Sequence, residues 1–176
     1  MGHRRLLIAA LALVVCAGSG CARAIQARVV DAETRQPIAG AVVLGVWTTL
    51  AGLPGLYHHK LVGVRETETD ADGRFTLERL ESSGLDGEGG GQAITIYKLG
   101  YVAWSNLFVF PTSALRENQR VPREIPLERF PPGGSRSRHM SFISNAMGAG
   151  LYGYDAIPKF SEALKEETEM ARRDRR

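Results

Sequence analysis

The sequence predicts an all-β fold, a seven-stranded two-sheet sandwich, with a leader in front of it and a helical tail behind. Three observations predict this. Between Ile25 and Phe130, short apolar or alternating runs are separated by turn formers at close intervals. The first 20 residues pass from basic to apolar to small, the order of an export signal. Residues 158–176 place Glu162, Glu166 and Glu167 early and arginines late, as the dipole of a helix favours.

In the leader, Arg4 and Arg5 precede the unbroken apolar run LLIAALALVV, Leu6–Val15. A transmembrane helix needs about 20 apolar residues, so this run is too short to span. CAGSG follows, and then Cys21. AGSGC resembles the lipobox of bacterial lipoproteins, with Gly18 where that motif prefers leucine. The resemblance implies a cleaved leader, residues 1–20, and a lipid on Cys21. Ala22, by resemblance to enterobacterial sorting rules, points to the outer membrane in preference to the inner. The alternative is an ordinary secretory leader cut nearby, which would give a soluble periplasmic or secreted protein. With Cys21 lipidated, the mature chain has no second cysteine, and packing must supply the stability that a disulfide would otherwise add.

Lys and Arg number 22 against 19 Asp and Glu, a net charge of +3. Arg4 and Arg5 leave with the leader, so the mature chain carries 20 cations against 19 anions, or +1. Near-neutral charge offers no electrostatic case for nucleic acid. The expected partners are a membrane, met through the N-terminal lipid, and an envelope protein.

The strands follow in order. IQARVV alternates Ile25, Ala27 and Val29 with polar residues, a half-buried strand. DAETRQPIAG is a turn region bounded by Pro37 and Gly40. AVVLGVWTTL is apolar and β-branched, so it reads as a strand buried on both faces. LAGLPGLYHHK, Leu50–Lys60, reads as a loop or irregular insertion, and LVGVRET as a third strand. GRFTLERL alternates Phe75 and Leu77 with charge, SSGLDGEGGG is a flexible loop, and AITIY puts Ile94 and Ile96 on one face. KLGY turns at Gly100, WSNLFVF is a sixth strand, and REIPLER places Ile125 and Leu127 inward on a seventh. Pro126 puts that last strand at an edge. PPGGSRSRH opens a Gly/Pro-rich linker and irregular segment over 131–157. A helix over 158–176 starts at Pro158 and shows a narrow stripe of Phe160, Ala163, Leu164 and Ala171. Lys165 and Glu169 are spaced for an ion pair. This helix reads as mostly solvated, or else as a docking helix through which the protein acts as an accessory subunit.

IQARVVDAETRQPIAGAVV, TDADGRFTL, ITIYKLGYVAW and IPLER together resemble the carboxypeptidase regulatory-like domain, a transthyretin-like seven-stranded sandwich of the immunoglobulin-like class. The resemblance covers about Ile25 to Phe130, within a domain taken as residues 21–130. Its carriers are the Asp turn after the first strand, Pro37, Gly40, the Asp72–Gly73 turn and the Gly100–Tyr101 pair. The insertion Leu50–Val64 and the glycine loop Gly84–Gly91 depart from the pattern. The resemblance implies a folding, rigidity or binding module without catalysis; fold alone confers no activity.

The chemistry-bearing residues agree with a non-enzyme that needs no cofactor. A zinc peptidase of that kind needs His and Glu three apart, yet three residues beyond His3, His58, His59 and His139 stand Leu6, Leu61, Val62 and Phe142. His58 and His59 could ligate a metal, but neighbours on a strand point to opposite faces. No G-x-S-x-G occurs, and GEGGG lacks the Gly-Lys-Ser/Thr of a phosphate loop. ETDADGRFTL sets Glu68, Asp70 and Asp72 at calcium-loop positions one, three and five, with Gly73 at six. Position twelve is then Arg79, a cation where a bidentate Glu belongs, so the stretch reads as a turn at the tip of a β-hairpin. Trp47, Tyr57, Tyr97, Tyr101 and Trp104 either line a glycan or peptide groove or fill the core. Tyr57 beside His58 is the candidate ligand site.

Overall fold

The structure is a computed structural model and describes residues 24–53, 55–80, 91–111, 113 and 120–174. Seven strands form two sheets. They are β1 (Ala24–Asp31), β2 (Val42–Ala51), β3 (His58–Glu68), β4 (Arg74–Glu78), β5 (Gly91–Tyr97), β6 (Trp104–Ser105) and β7 (Glu124–Leu127). One sheet has the order β4-β1-β7 and the other β3-β2-β5-β6. β1 pairs antiparallel with β4 and parallel with β7. Pro126 lies opposite Val30 on the edge strand, where its missing N–H leaves no interior ladder broken.

The core between the sheets holds the inward set that the alternation specified, joined by Val43, Trp47 and Trp104. Ile25, Val29, Phe75, Leu77, Ile125 and Leu127 meet Val43, Trp47, Ile94, Ile96 and Trp104. At Gly45, a Cβ would stand 2.5 Å from the Trp47 ring and 2.8 Å from Leu77, so the missing side chain is what seats the indole.

A third layer covers the outer face of the four-stranded sheet. It consists of α1 (Arg136–Ala146), a short 3₁₀ turn at Tyr154–Ala156 and α2 (Pro158–Arg173). Ile143, Met147, Ile157, Phe160 and Leu164 pack on Val42, Leu44, Val46 and Tyr97. β2 is therefore apolar on both faces because both are covered. The segment expected to be an irregular linker holds α1, whose N-cap Ser135 accepts from the Arg138 N–H. Its apolar seam, His139, Ile143 and Ala146, has helical spacing.

α2 lies on its own sandwich and is not a mostly solvated tail. Its N-cap, Ile157, has no side-chain acceptor. The Glu66 carboxylate on β3 supplies one instead, accepting from Phe160 N–H (2.7 Å) and Lys159 N–H (3.2 Å). Lys159 also lies 3.4 Å from Glu68, and Lys165 pairs with Glu162, where Glu169 was the expected partner. Among the described residues no helix is long and apolar enough to cross a membrane.

Two other expectations change. WSNLFVF is extended in a ladder only at Trp104–Ser105. The presumed insertion is ordered as a two-stranded ribbon, with Thr49, Leu50 and Ala51 opposite Lys60, His59 and His58. A bulge lies between Trp47 and Thr48 in that pairing.

Candidate interaction surfaces and a buried charged cluster

The turn residues lie where backbone chemistry needs them. Asp70 Oδ1 accepts from the Asp72 and Arg74 N–H groups, and Gly73 N–H donates to the Asp70 carbonyl. Gly73 has φ +73°, and a Cβ there would meet the Val29 carbonyl at 2.4 Å. This tight turn carries the chain from β3 in one sheet to β4 in the other. It is a crossing between layers and not the tip of a hairpin within one sheet, because β3 pairs with β2 and β4 with β1. Pro37 bridges Val30. Gly40 (φ +63°) and Gly100 (φ +88°) both adopt left-handed backbone.

Asp31, at the end of β1, is buried and fully used. Its Oδ1 accepts from the Glu33 and Thr34 N–H groups, and its Oδ2 from Tyr101 OH (3.0 Å) and Arg129 (2.9 Å). The Thr34 N–H is the strongest influence holding this carboxyl down, at about 2; burial opposes it, while Glu33 N–H, Tyr101 and Arg129 add to it.

A second buried cluster ties the helical layer together. Glu167 of α2, fully buried, accepts from His139 Nδ1 at 2.8 Å, Arg136 at 2.7 Å and Tyr97 OH at 3.1 Å. The Ala103 N–H donates to His139 Nε2 at 2.9 Å. A backbone N–H can only donate, so Nε2 carries the lone pair and Nδ1 the proton. The Arg136 guanidinium sits 3.8 Å from the centroid of the Phe130 ring. Burial is the largest influence on Glu167 and raises it. His139, Arg136 and Tyr97 together outweigh that and leave its carboxyl below the usual range. Burial, with the Glu167 charge, drives the Tyr97 phenol well above its usual range. This is a Glu–His pair in outline, but its accepting nitrogen is occupied, so its geometry serves cohesion.

The sequence-predicted ligand residues are exposed. Tyr57 is 59 % exposed, and His58 and His59 are exposed on the first rungs of β3. The aromatics are not gathered around them. Trp47 and Trp104 lie between the sheets, Tyr97 lies under the helices and Tyr101 binds Asp31. Among the described residues no group of three or more His, Cys, Asp or Glu is placed to hold a metal.

Two apolar surfaces stand out among the described residues. One is the tip of the β2–β3 ribbon, where Leu53 is 71 % and Leu56 75 % exposed. The other is an open groove of about 700 Å³ along α1, lined by Phe108, Phe110, Pro111, Arg138 and Phe142. Sequence reasoning missed this groove because α1 went unrecognised. It missed Glu167 because its three side-chain partners lie 28 to 70 residues away.

No family model matches the chain, and no curated protein matches it in sequence. Among solved structures, the Streptococcal ancillary pilin is similar at 18 % identity and a TM-score of 0.31, over 62 % of this chain and 30 % of the pilin chain. This chain thus spans less than a third of the pilin chain's length.

Proposed function

We propose that the protein is an exported, lipid-anchored β-sandwich of the bacterial cell envelope that works as a non-catalytic structural and protein-interaction module. One observation carries the reading. The cluster that most resembles acid–base chemistry, Glu167 with His139, is closed on itself by Ala103, Arg136 and Tyr97. Buried polar groups that are fully satisfied rigidify a fold. The leader and Cys21 support export and anchoring, with the outer membrane favoured. The Asp31 turn, Pro37, Gly40, the Asp70–Gly73 crossing and Gly100 support a carboxypeptidase regulatory-like, transthyretin-like sandwich.

The groove along α1 is the surface that suits an envelope protein, being apolar and rimmed by Arg138. Affinity purification of the lipidated protein from gently solubilised membranes should recover a defined protein that Phe108→Asp loses and Tyr57→Ala keeps. Recovery unaffected by Phe108→Asp would remove the groove from the reading. Cys21→Ser should move the protein out of the membrane fraction.

Exposed Tyr57 and His58 favour a second reading, a glycan- or peptide-binding protein. Loss of envelope-glycan binding in Tyr57→Ala would choose it.

A further inference from the structure

We infer that the tip of the β2–β3 ribbon is a membrane-contact element that enters the interface of the same bilayer that holds the N-terminal lipid. The inference rests on the anchored reading of Cys21 and on an independent feature of the topology. β3 runs from the tip at His58 to Glu68, and the Asp70–Gly73 turn reverses the chain into β4. β4 runs back toward the tip end, and β1 pairs with it so that Ala24 lies opposite Glu78. Leu80, two residues further on, reaches Gly63 on β3. The start of β1 and the ribbon tip therefore share one end of the sandwich. The Asp70–Gly73 turn marks the other.

Cys21 stands three residues before Ala24. Three residues span at most about 11 Å. A lipid on Cys21 thus holds this end of the domain against the bilayer surface.

The ribbon is built to be there. Thr48 is the last residue of β2 that pairs with β5, and Thr49–Ala51 pair with β3 alone. That overhang is about 10 Å at the rise of a strand, matching the depth to which interfacial elements enter the headgroup boundary. The Leu56 N–H closes the tip onto the Leu53 carbonyl at 2.8 Å. Leu53, Leu56 and Tyr57 stand at the apex, and His58, His59 and Lys60 follow, all exposed. From Trp47 to Arg65 the ribbon contains no Asp or Glu. Glu81, Asp86 and Glu88 belong to the connection 81–90, outside the described residues. Leucines at an apex, a tyrosine at its shoulder and Lys60 with two hydrogen-bonding imidazoles behind them suit the acyl, glycerol and phosphate levels of an anionic bilayer in turn.

The test uses the lipidated full chain, purified from envelope membranes and reconstituted in vesicles of phosphatidylcholine and phosphatidylglycerol. Leu56→Cys carries a fluorophore, the Cys21 sulfur being blocked by its lipid, and the vesicles contain brominated acyl chains. Strong quenching at 56 and none at Asp72→Cys, at the opposite end, is expected. Leu53→Asp should cut the immersed fraction about tenfold, the scale of one buried leucine, while the protein stays in the membrane. Equal, weak quenching at 56 and 72 in protein shown by mass spectrometry to be lipidated overturns the inference. So does a crosslink from position 56 to a protein without quenching. If mass spectrometry instead finds Cys21 bare, the anchored reading has failed separately. The labelled chain with Cys21→Ser is then added to the vesicles from solution, where quenching at 56 sustains the inference and its absence overturns it.

Discussion

Two buried carboxylates and one histidine set the sensitivity of the fold at the residue scale. Removing one neutral donor from a buried carboxylate costs about 1.5–3 kcal/mol, the worth of a hydrogen bond to a charged group. His139→Ala leaves Glu167 short of a donor and opens the packing of Phe110 and Phe130, whose ring centroids lie 5.3 and 4.9 Å away. It should lower unfolding stability by about that amount in urea titration; a loss below about 1 kcal/mol would contradict the role given to the pair. Asp31 and Glu167 both have carboxyl groups lowered by the fold. Below an unfolded pKa of about 4, the unfolded chain binds more protons than the folded one. Stability present above that pH is therefore lost as pH falls toward 2. Asp31→Asn should make this acid limb shallower in urea midpoints taken from pH 5 to 2, and an unchanged slope would remove Asp31 as its source. Asp31 was legible, since an Asp two and three residues before exposed N–H groups is a local turn signal. Glu167 carried a local signal that went unused, since helical spacing puts it on the stripe of Phe160, Leu164 and Ala171 while Glu166 beside it is solvated; its distant partners were not legible.

Local periodicity made β1, β4 and the inward face of β5 readable at the scale of elements, because each alternates against one covered side. The ribbon was read as a loop because Gly52 and Gly55 interrupt its pattern, while pairing over Thr49–Ala51 comes only from the facing strand. α1 was missed because its helical seam is flanked by PPGG and by a glycine-rich stretch, and composition outweighed period. The start of α2 was legible from Pro158, but its cap was not, because the acceptor is 93 residues away. Glu66→Ala should cost about 1 kcal/mol in urea titration, the usual worth of a cap. Glu66→Gln should retain part of that, since an amide oxygen still accepts. Equal stability of both variants and the wild type would make the contact incidental.

The sequence predicted two sheets for the whole molecule, and the structure has three layers because β2 serves two cores at once. Val43 and Trp47 face the other sheet, and Val42, Leu44 and Val46 face the helices. The both-sided apolar pattern of β2 already required cover on its outer side; what supplied the cover was hidden in the unrecognised α1. Shared walls make the layers cooperative. Trp47 and Trp104 both sit in the inner core, so their fluorescence reports it, while far-ultraviolet circular dichroism reports the helices. The two signals should give one coincident transition in urea, and separated midpoints would show that the helical layer melts by itself. α2 follows every strand of the sandwich in sequence. As the chain is synthesised the strands emerge first, and the outer face of β2 stays greasy until Pro158–Arg173 has emerged to cover it. Concealment of the stickiest strand face thereby waits on an element more than a hundred residues downstream of it. A chain cut short before Pro158 displays that face permanently, the kind of mark by which proteases and holding chaperones sort unfinished products from finished ones.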